Sequence, residues 1–78
     1  MKKYEDAIAA GLQAVAVDPQ SPYAHSALGY AYFDKGKSGY RNSLKEFNQA
    51  IALGVNDLDE GTKSGIQLRL ARIKQTLK

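Results

Sequence analysis

The chain has 78 residues, enough for one small domain, 1–78, which buries only about 60% of the surface that its unfolded form exposes. It has no cysteine, which excludes disulfides and thiolate metal ligands and weakly favours a reducing, cytoplasmic compartment. Residues 1–60 carry six basic and eight acidic residues and residues 61–78 carry five basic and none acidic, so the net charge of +3 comes from the C-terminal stretch.

The first predicted helix covers residues 4–17. Four of its residues fall at the spacing of one helical face: Tyr4, Ile8, Gly11 and Val15. Pro19 ends the helix, because proline disfavours helical geometry in the residue before it.

The second predicted helix begins at Ser21-Pro22 and ends near Asp34. Serine caps the free amides of a helix start, and proline is tolerated at the first helical position. The glycine-rich residues 35–39 form the loop that follows.

The third predicted helix covers residues 40–53. Its apolar face consists of Tyr40, Leu44, Phe47 and Ile51, with Ala50 beside it. Gly54 is a typical residue for a helix C-terminus, and residues 55–57 form a linker.

The fourth predicted helix begins in residues 57–60, where Asp57 and Glu60 have the spacing of a capping box. Gly61 and Gly65 weaken the first turns by about 1 kcal/mol each relative to alanine. One apolar stripe follows, Ile66, Leu70, Ile73 and Leu77, and a second one, Leu68 and Ala71. A helix that is apolar on two sides is expected to have neighbours on two sides.

The first and third helices repeat each other at an offset of 36 residues. The matched pairs are Tyr4 and Tyr40, Ile8 and Leu44, Gly11 and Phe47, Ala14 and Ala50, and Val15 and Ile51. The second helix maps more weakly onto the fourth by the same offset, with Gly29 on Gly65 and Tyr30 on Ile66. The chain therefore contains a two-helix unit in the order helix B, helix A, helix B, helix A.

This pattern resembles the tetratricopeptide repeat. Residues 4–19 are similar to its second helix, with an aromatic residue, two spaced alanines and a closing Asp-Pro: Tyr4, Ala7, Ala14 and Asp18-Pro19. Residues 24–32 are similar to its first helix, through Leu28-Gly29 and the aromatic Tyr32. Residues 40–50 repeat the second-helix pattern, with Ser43 in place of the usual alanine.

The resemblance implies an all-α fold, a right-handed α-solenoid of four helices in B-A-B-A order. Residues 1–20 would be the second helix of a partial repeat, residues 21–55 a full repeat, and residues 56–78 a C-terminal or capping helix. It also implies a protein-binding scaffold, not an enzyme, that recognises a peptide segment of a partner protein in a concave groove.

The resemblance further implies which residues face that groove. In the second helix they are Tyr23, Ser26, Tyr30, Phe33 and Asp34; by the repeat offset, Asp59, Thr62, Ile66 and Arg69 extend the groove. Tyrosine suits such a surface because it combines apolar area with a hydroxyl group. For Tyr30, groove contact and packing inside the molecule remain equal alternatives.

Two other functions are compatible with the sequence. An uncovered apolar face on the first helix favours self-association or completion of a longer repeat scaffold. The basic fourth helix suggests an anionic ligand, but it has no aromatic residue for nucleic-acid stacking and its cations are scattered around the helix, unlike those of a membrane-surface helix. Nucleic acid and membrane are therefore disfavoured as partners.

Three motifs suggest chemistry but fail a requirement. Residues 36–38 read Gly-Lys-Ser, as at the end of a phosphate-binding loop, but they join two predicted helices and lack the earlier glycine. Asp57, Asp59 and Glu60 are clustered as in a calcium loop, but such a loop would need glycine and glutamate where Thr62 and Leu68 stand. His25 is the single histidine and lacks a nucleophile arrangement, so packing is its expected role. No catalytic residue, metal site or cofactor is predicted.

Overall fold

The computed structural model describes residues 3–77 and shows an all-helical chain, which confirms the predicted fold class. The four α-helices are α1 (Lys3–Val17), α2 (Pro22–Asp34), α3 (Tyr40–Gly54) and α4 (Glu60–Thr76). Single turns of 3-10 helix precede α3 and α4, at Lys37–Gly39 and Val55–Asp57. No strand occurs within residues 3–77.

The boundaries of the first three helices follow the local sequence signals. The Ser21 hydroxyl caps α2 by accepting the backbone N–H of Ala24 at 3.2 Å, and Pro22 is the first helical residue. Helix α1 ends at Val17, just before Asp18-Pro19, and α3 ends at Gly54.

The start of α4 differs from the prediction, because Asp59 caps this helix in place of Asp57. The Asp59 carboxylate accepts the backbone N–H of Thr62 at 3.2 Å and its hydroxyl at 2.6 Å. Leu58, which precedes the cap, is 4% exposed in the core and has extended backbone. Because Leu58 has to reach the core, the helix cannot begin until the next residue.

The core lies between α2, α3 and α4. Its most deeply buried large apolar side chains are Leu28, Phe47, Ile66 and Ile73. Gly29 lets α2 approach α3 closely, since a Cβ at Gly29 would lie 2.5 Å from the Phe47 ring. The Ser43 hydroxyl joins the same two helices by donating to the Gly29 carbonyl at 2.7 Å.

Helix α1 packs on α2 around a single fully buried residue. Gly11 is its buried residue, and a Cβ there would lie 3.0 Å from the Leu28 Cα atom. Ile8 and Val15 of the predicted apolar face are half-buried, whereas Tyr4 is exposed. The second apolar stripe of α4 is also uncovered, because Leu68 and Ala71 are exposed and no residue within 3–77 buries them.

The repeat has two offsets in the structure. Helices α1 and α3 match at the predicted offset of 36, with Gly11 and Phe47 both buried. Helices α2 and α4 match at 38, because their capping residues are Ser21 and Asp59. Ile66 then corresponds to Leu28, and each is 1% exposed.

The predicted equivalence of Gly29 with Gly65, and of Tyr30 with Ile66, is therefore wrong. The cause is the linker before α4, which contains an extra 3-10 turn and the buried Leu58. Under the corrected offset Leu68, and not Ile66, is the counterpart of Tyr30.

Candidate protein-interaction surface

Helices α2 and α4 meet along one edge, where their N-termini are joined by hydrogen bonds. The Tyr23 hydroxyl accepts the backbone N–H of Asp59 at 3.0 Å and donates to the Asp59 carboxylate at 3.1 Å. Tyr23 is nevertheless 47% exposed. Its ring therefore remains available to a partner while its hydroxyl aligns the two helices.

Tyr30 lies about two helical turns further along the same edge and is half-buried. Its hydroxyl donates to the Thr62 carbonyl at 3.0 Å, and its ring packs edge-to-face on Phe47 at 5.4 Å. Burial raises the pKa of the Tyr30 hydroxyl, the positive charge of Arg69 opposes that rise, and Asp59 adds to it. Tyr30 thus packs within the molecule and also keeps part of its surface in solvent.

Arg69 lies against two aromatic rings of α2. Its guanidinium carbon is 4.5 Å from the centre of the Tyr30 ring and 5.5 Å from that of Phe33. Phe33 in turn stacks on Tyr40 at 4.9 Å, which fixes the position of its ring. The Arg69 Nη1 atom donates to the Gly65 carbonyl at 3.0 Å, while the buried Nε atom has no hydrogen-bond partner among the described residues.

The ion pairs within residues 3–77 do not involve Arg69. Lys63 is paired with Glu60 at 2.8 Å, and Glu46 is hydrogen-bonded to His25 at 2.7 Å. Arg69 is thus a cation held on aromatic rings without a carboxylate beside it in the described part of the chain.

Two of the nine predicted groove residues lie inside the core. Ser26 is 2% exposed and donates its hydroxyl to the Pro22 carbonyl at 2.7 Å, and Ile66 is 1% exposed. They support the helices and are not accessible to a partner. The other seven are at least partly exposed, and we call them the α2–α4 patch: Tyr23, Tyr30, Phe33, Asp34, Asp59, Thr62 and Arg69.

Asp59 supplies negative charge to the α2–α4 patch. Hydrogen bonds from the Thr62 hydroxyl and the Thr62 backbone N–H, with a further one from Tyr23, lower the pKa of the Asp59 carboxyl below its ordinary value. These donors stabilise the ionised carboxylate, which stays exposed to solvent.

His25 is a structural residue. It is 6% exposed, and its Nδ1 atom lies 2.7 Å from the Glu46 carboxylate. Its Nε2 atom lies 2.9 Å from the Pro19 carbonyl. Both ring nitrogens therefore have partners within the molecule, and His25 links α2 to α3 and to the turn after α1. This agrees with the packing role expected from the sequence.

An open cleft of about 620 Å³ lies between α1 and α2, and Tyr23 of the α2–α4 patch is among the residues that line it. Sequence reasoning did not predict it. Its floor is made of small side chains from both helices, which include Ala10, Ala14, Ala24 and Ala27. The spacing of alanines along α1 is the sequence signal that indicates it. We call this feature the α1/α2 cleft.

Residues 36–38 lie in a turn between two helices, where Gly36 has a φ of 102°. In residues 3–77, no three His, Asp or Glu side chains are grouped as a metal site would require. Across the same residues, no helix is both long enough and apolar enough to span a membrane.

Comparison with known proteins agrees with the helical repeat. Residues 1–36, which include α1 and α2, match the family model described as TPR repeat. Searches of curated proteins and of solved structures find no match. The match supports residues 1–36 as a fragment of the tetratricopeptide-repeat family, whose members are in general protein–protein interaction modules.

Proposed function

We propose that the α2–α4 patch binds a peptide segment of a partner protein and that Arg69 pairs with a carboxylate of that segment. The observation that carries the proposal is the position of the Arg69 guanidinium, stacked on Tyr30 and Phe33 without a carboxylate beside it within residues 3–77. A cation held in this way loses little side-chain entropy when a ligand binds.

The surroundings of Arg69 favour a protein segment over a small anion. Tyr23 and Tyr30 offer partly exposed aromatic surface, of the kind enriched at protein interfaces. Asp34 and Asp59 are exposed carboxylates on the same two helices, so a partner of mixed charge complements the patch better than a purely acidic one. The expected ligand is a peptide with an acidic residue, an apolar side chain and a basic residue.

Catalysis is not part of the proposal. The single histidine has structural partners at both nitrogens, and general acid–base chemistry requires a group free to exchange protons with a substrate. The family match also supports an interaction module and not an enzyme.

A library of 12-residue peptides displayed on phage would test the proposal. We expect selected peptides to be enriched in Asp or Glu and to lose at least about tenfold in affinity with Arg69→Glu, equivalent to about 1.4 kcal/mol. Tyr23→Ala should weaken the same peptides, because it removes exposed aromatic surface from the patch.

Lys74→Glu is the matched control, since Lys74 is an exposed cation on α4 outside the α2–α4 patch. It makes the same change of charge and should leave binding within about twofold, because exposed charges contribute little at a distance. Peptides that bind Arg69→Glu and Tyr23→Ala as well as the original chain would refute the proposal. Circular dichroism establishes that each variant is folded.

A further inference from the structure

We infer that Asp59 determines the specificity of the α2–α4 patch by binding a basic side chain of the ligand. In an extended segment this basic residue lies about two to four residues from the acidic residue that pairs with Arg69. The assignment rests on the proposed function and deepens it, because it names the group that recognises the second charge of the ligand and the spacing between the two charges.

The Asp59 carboxylate is held in place but is not saturated with hydrogen bonds. Its Oδ1 atom accepts the Tyr23 hydroxyl at 3.1 Å and the Thr62 hydroxyl at 2.6 Å. Its Oδ2 atom accepts the Thr62 backbone N–H at 3.2 Å. Because a carboxylate has about four lone-pair sites, Oδ2 can accept one further donor, and no cation within residues 3–77 is paired with it. Asp59 therefore presents a fixed, exposed negative charge to a ligand.

Arg69 presents a fixed positive charge on the same edge of the molecule. Its guanidinium lies on the rings of Tyr30 and Phe33, and its Nη1 atom donates to the Gly65 carbonyl at 3.0 Å. Its Nη2 atom has no hydrogen-bond partner in the part of the chain that the structure describes, so it can donate to a ligand carboxylate. Two opposite charges that are fixed separately by their own neighbours complement a ligand that carries both.

Helix α2 sets the distance between the two charges. Tyr23, which binds Asp59, and Tyr30, which lies under Arg69, are seven residues apart, nearly two full turns. The two tyrosines therefore lie on the same side of α2, about 10 Å apart along its axis. The ligand groups that meet Asp59 and Arg69 should be separated by a similar distance.

An extended segment covers this distance with few residues. It advances about 3.3 Å per residue and spans about 10 Å in about three residues, and the flexible stem of a lysine widens the range to about two to four. A helix would need about seven residues. Because helices shorter than about 12 residues are only marginally stable alone in water, a short ligand binds at less cost when it stays extended.

Asp34 is the other acidic residue of the α2–α4 patch, and it lies in a different place. It is the last residue of α2, so it lies past Tyr30 along the helix, in the direction away from Tyr23 and Asp59. Asp34→Asn removes the same charge from the same patch as Asp59→Asn. It is therefore the matched control for the position of the charge.

Fluorescence polarisation with variants of one peptide tests the assignment. The starting peptide is one that is selected on the original chain and weakened by Arg69→Glu. Its basic residues are replaced by alanine, and a single lysine is then placed one to eight residues from the acidic residue, on either side. We expect lysine at a separation of about two to four residues, on one side, to raise the affinity about three- to fivefold, as one exposed ion pair does. Lysine at the other separations should raise it by less than about twofold.

The variant Asp59→Asn should abolish this gain and leave the dependence of binding on Arg69 intact. Asparagine caps helix N-termini about as well as aspartate does, so the fold is retained, which circular dichroism checks. The peptide without lysine should bind the original chain and Asp59→Asn with affinities within about twofold of each other. Asp34→Asn should keep the full gain from lysine.

A gain that persists in Asp59→Asn, or that is lost in Asp34→Asn instead, would overturn the assignment. An optimum at a separation of about seven residues would also overturn it, because that spacing indicates a helical ligand. In each of these cases the loss of binding in Arg69→Glu leaves the proposed function standing. If no selected peptide depends on Arg69, the proposed function and this assignment are both refuted.

Discussion

Helices α1 and α3 occupy equivalent places in the repeat, yet they are held in different ways. Helix α3 buries four residues: Tyr40, Ser43, Phe47 and Ala50. Helix α1 buries Gly11 alone, and its Leu12 and Val17 are 50% and 81% exposed. The same sequence pattern thus produces one helix inside the core and one on the surface.

The difference originates at a few matched positions. At the position where α3 has Phe47, which fills the space between α2 and α4, α1 has Gly11. Because Gly11 has no side chain, the backbone of α1 lies close to Leu28. Where α3 has Glu46, bound to His25, α1 has Ala10. A repeat unit therefore specifies where its helices lie, while its side chains and neighbours decide how strongly each is held.

The largest expected effect is at the centre of α3. Phe47→Ala removes a fully buried ring and leaves a cavity, so it should lower the free energy of unfolding by about 3–5 kcal/mol. Because small domains have little stability to lose, this variant should be largely unfolded in urea titrations monitored by circular dichroism. Leu12→Ala on α1 should change the free energy of unfolding by less than about 0.5 kcal/mol, because Leu12 is half-exposed. Equal losses in the two variants would contradict the difference between α1 and α3.

The next largest loss of stability is expected at His25, which links α2 to Glu46 of α3 and to the turn after α1. His25→Ala leaves the Glu46 carboxylate without its partner and frees the Pro19 carbonyl, and we expect a loss of about 1–3 kcal/mol. The double variant His25→Ala, Glu46→Ala should lose less than the sum of the two single variants, because the pair acts together. Strict additivity in a urea double-mutant cycle would show that the contact contributes nothing.

A smaller effect distinguishes the matched positions 43 and 7. Ser43→Ala removes a buried hydroxyl that donates to the Gly29 carbonyl, and should cost about 0.5–1.5 kcal/mol. The opposite exchange in α1, Ala7→Ser, lies at an exposed position and should have an effect within about 0.5 kcal/mol. Thermal unfolding of both variants tests whether the difference lies in burial and not in helix propensity.

The smallest expected effect is a difference in pH dependence between the N-terminal caps of α2 and α4, Ser21 and Asp59. The pKa of Asp59 is lowered in the folded protein, so its contribution to stability is present above its ordinary value of 3.8 and is lost as the pH falls below that value. The protection factors of amides at the start of α4 should therefore fall as the pH is lowered below 3.8, relative to those of Asp59→Asn. The Ser21 cap of α2 is uncharged; an equal change at both helices would contradict this prediction.

Local sequence signals predicted the positions of α1, α2 and α3, because such signals act between residues that are close together in the chain. Pro19 and the Ser21-Pro22 cap act on their own neighbours. Of the predicted apolar face of α3, Tyr40, Phe47 and Ala50 are buried and Leu44 is half-buried, whereas Ile51 is exposed. The start of α4 could not be predicted in the same way, since Asp57 and Asp59 are both plausible caps. The burial of Leu58, which depends on the rest of the core, selects Asp59.

The candidate site was predictable in part. The family resemblance and the repeat indicated which helices supply it, and seven of the nine residues have exposed surface. Ile66 is buried because the offset between α2 and α4 is 38 and α4 packs Ile66 into the same cluster as Phe47. Ser26 is buried on α2 itself, where its hydroxyl donates to the Pro22 carbonyl. The position of Arg69 on Tyr30 and Phe33, residues from a distant helix, is not encoded in any local pattern.

The sequence by itself determined that this protein is helical, where three of its helices begin and end, and that it repeats a two-helix unit. Capping, proline and apolar spacing act within a few residues, so they can be read directly. Only the tertiary structure decided the repeat offset between α2 and α4, the packing of Arg69 on the rings of Tyr30 and Phe33, and the open α1/α2 cleft. Those features depend on which side chains fill the space between helices that are far apart in the chain.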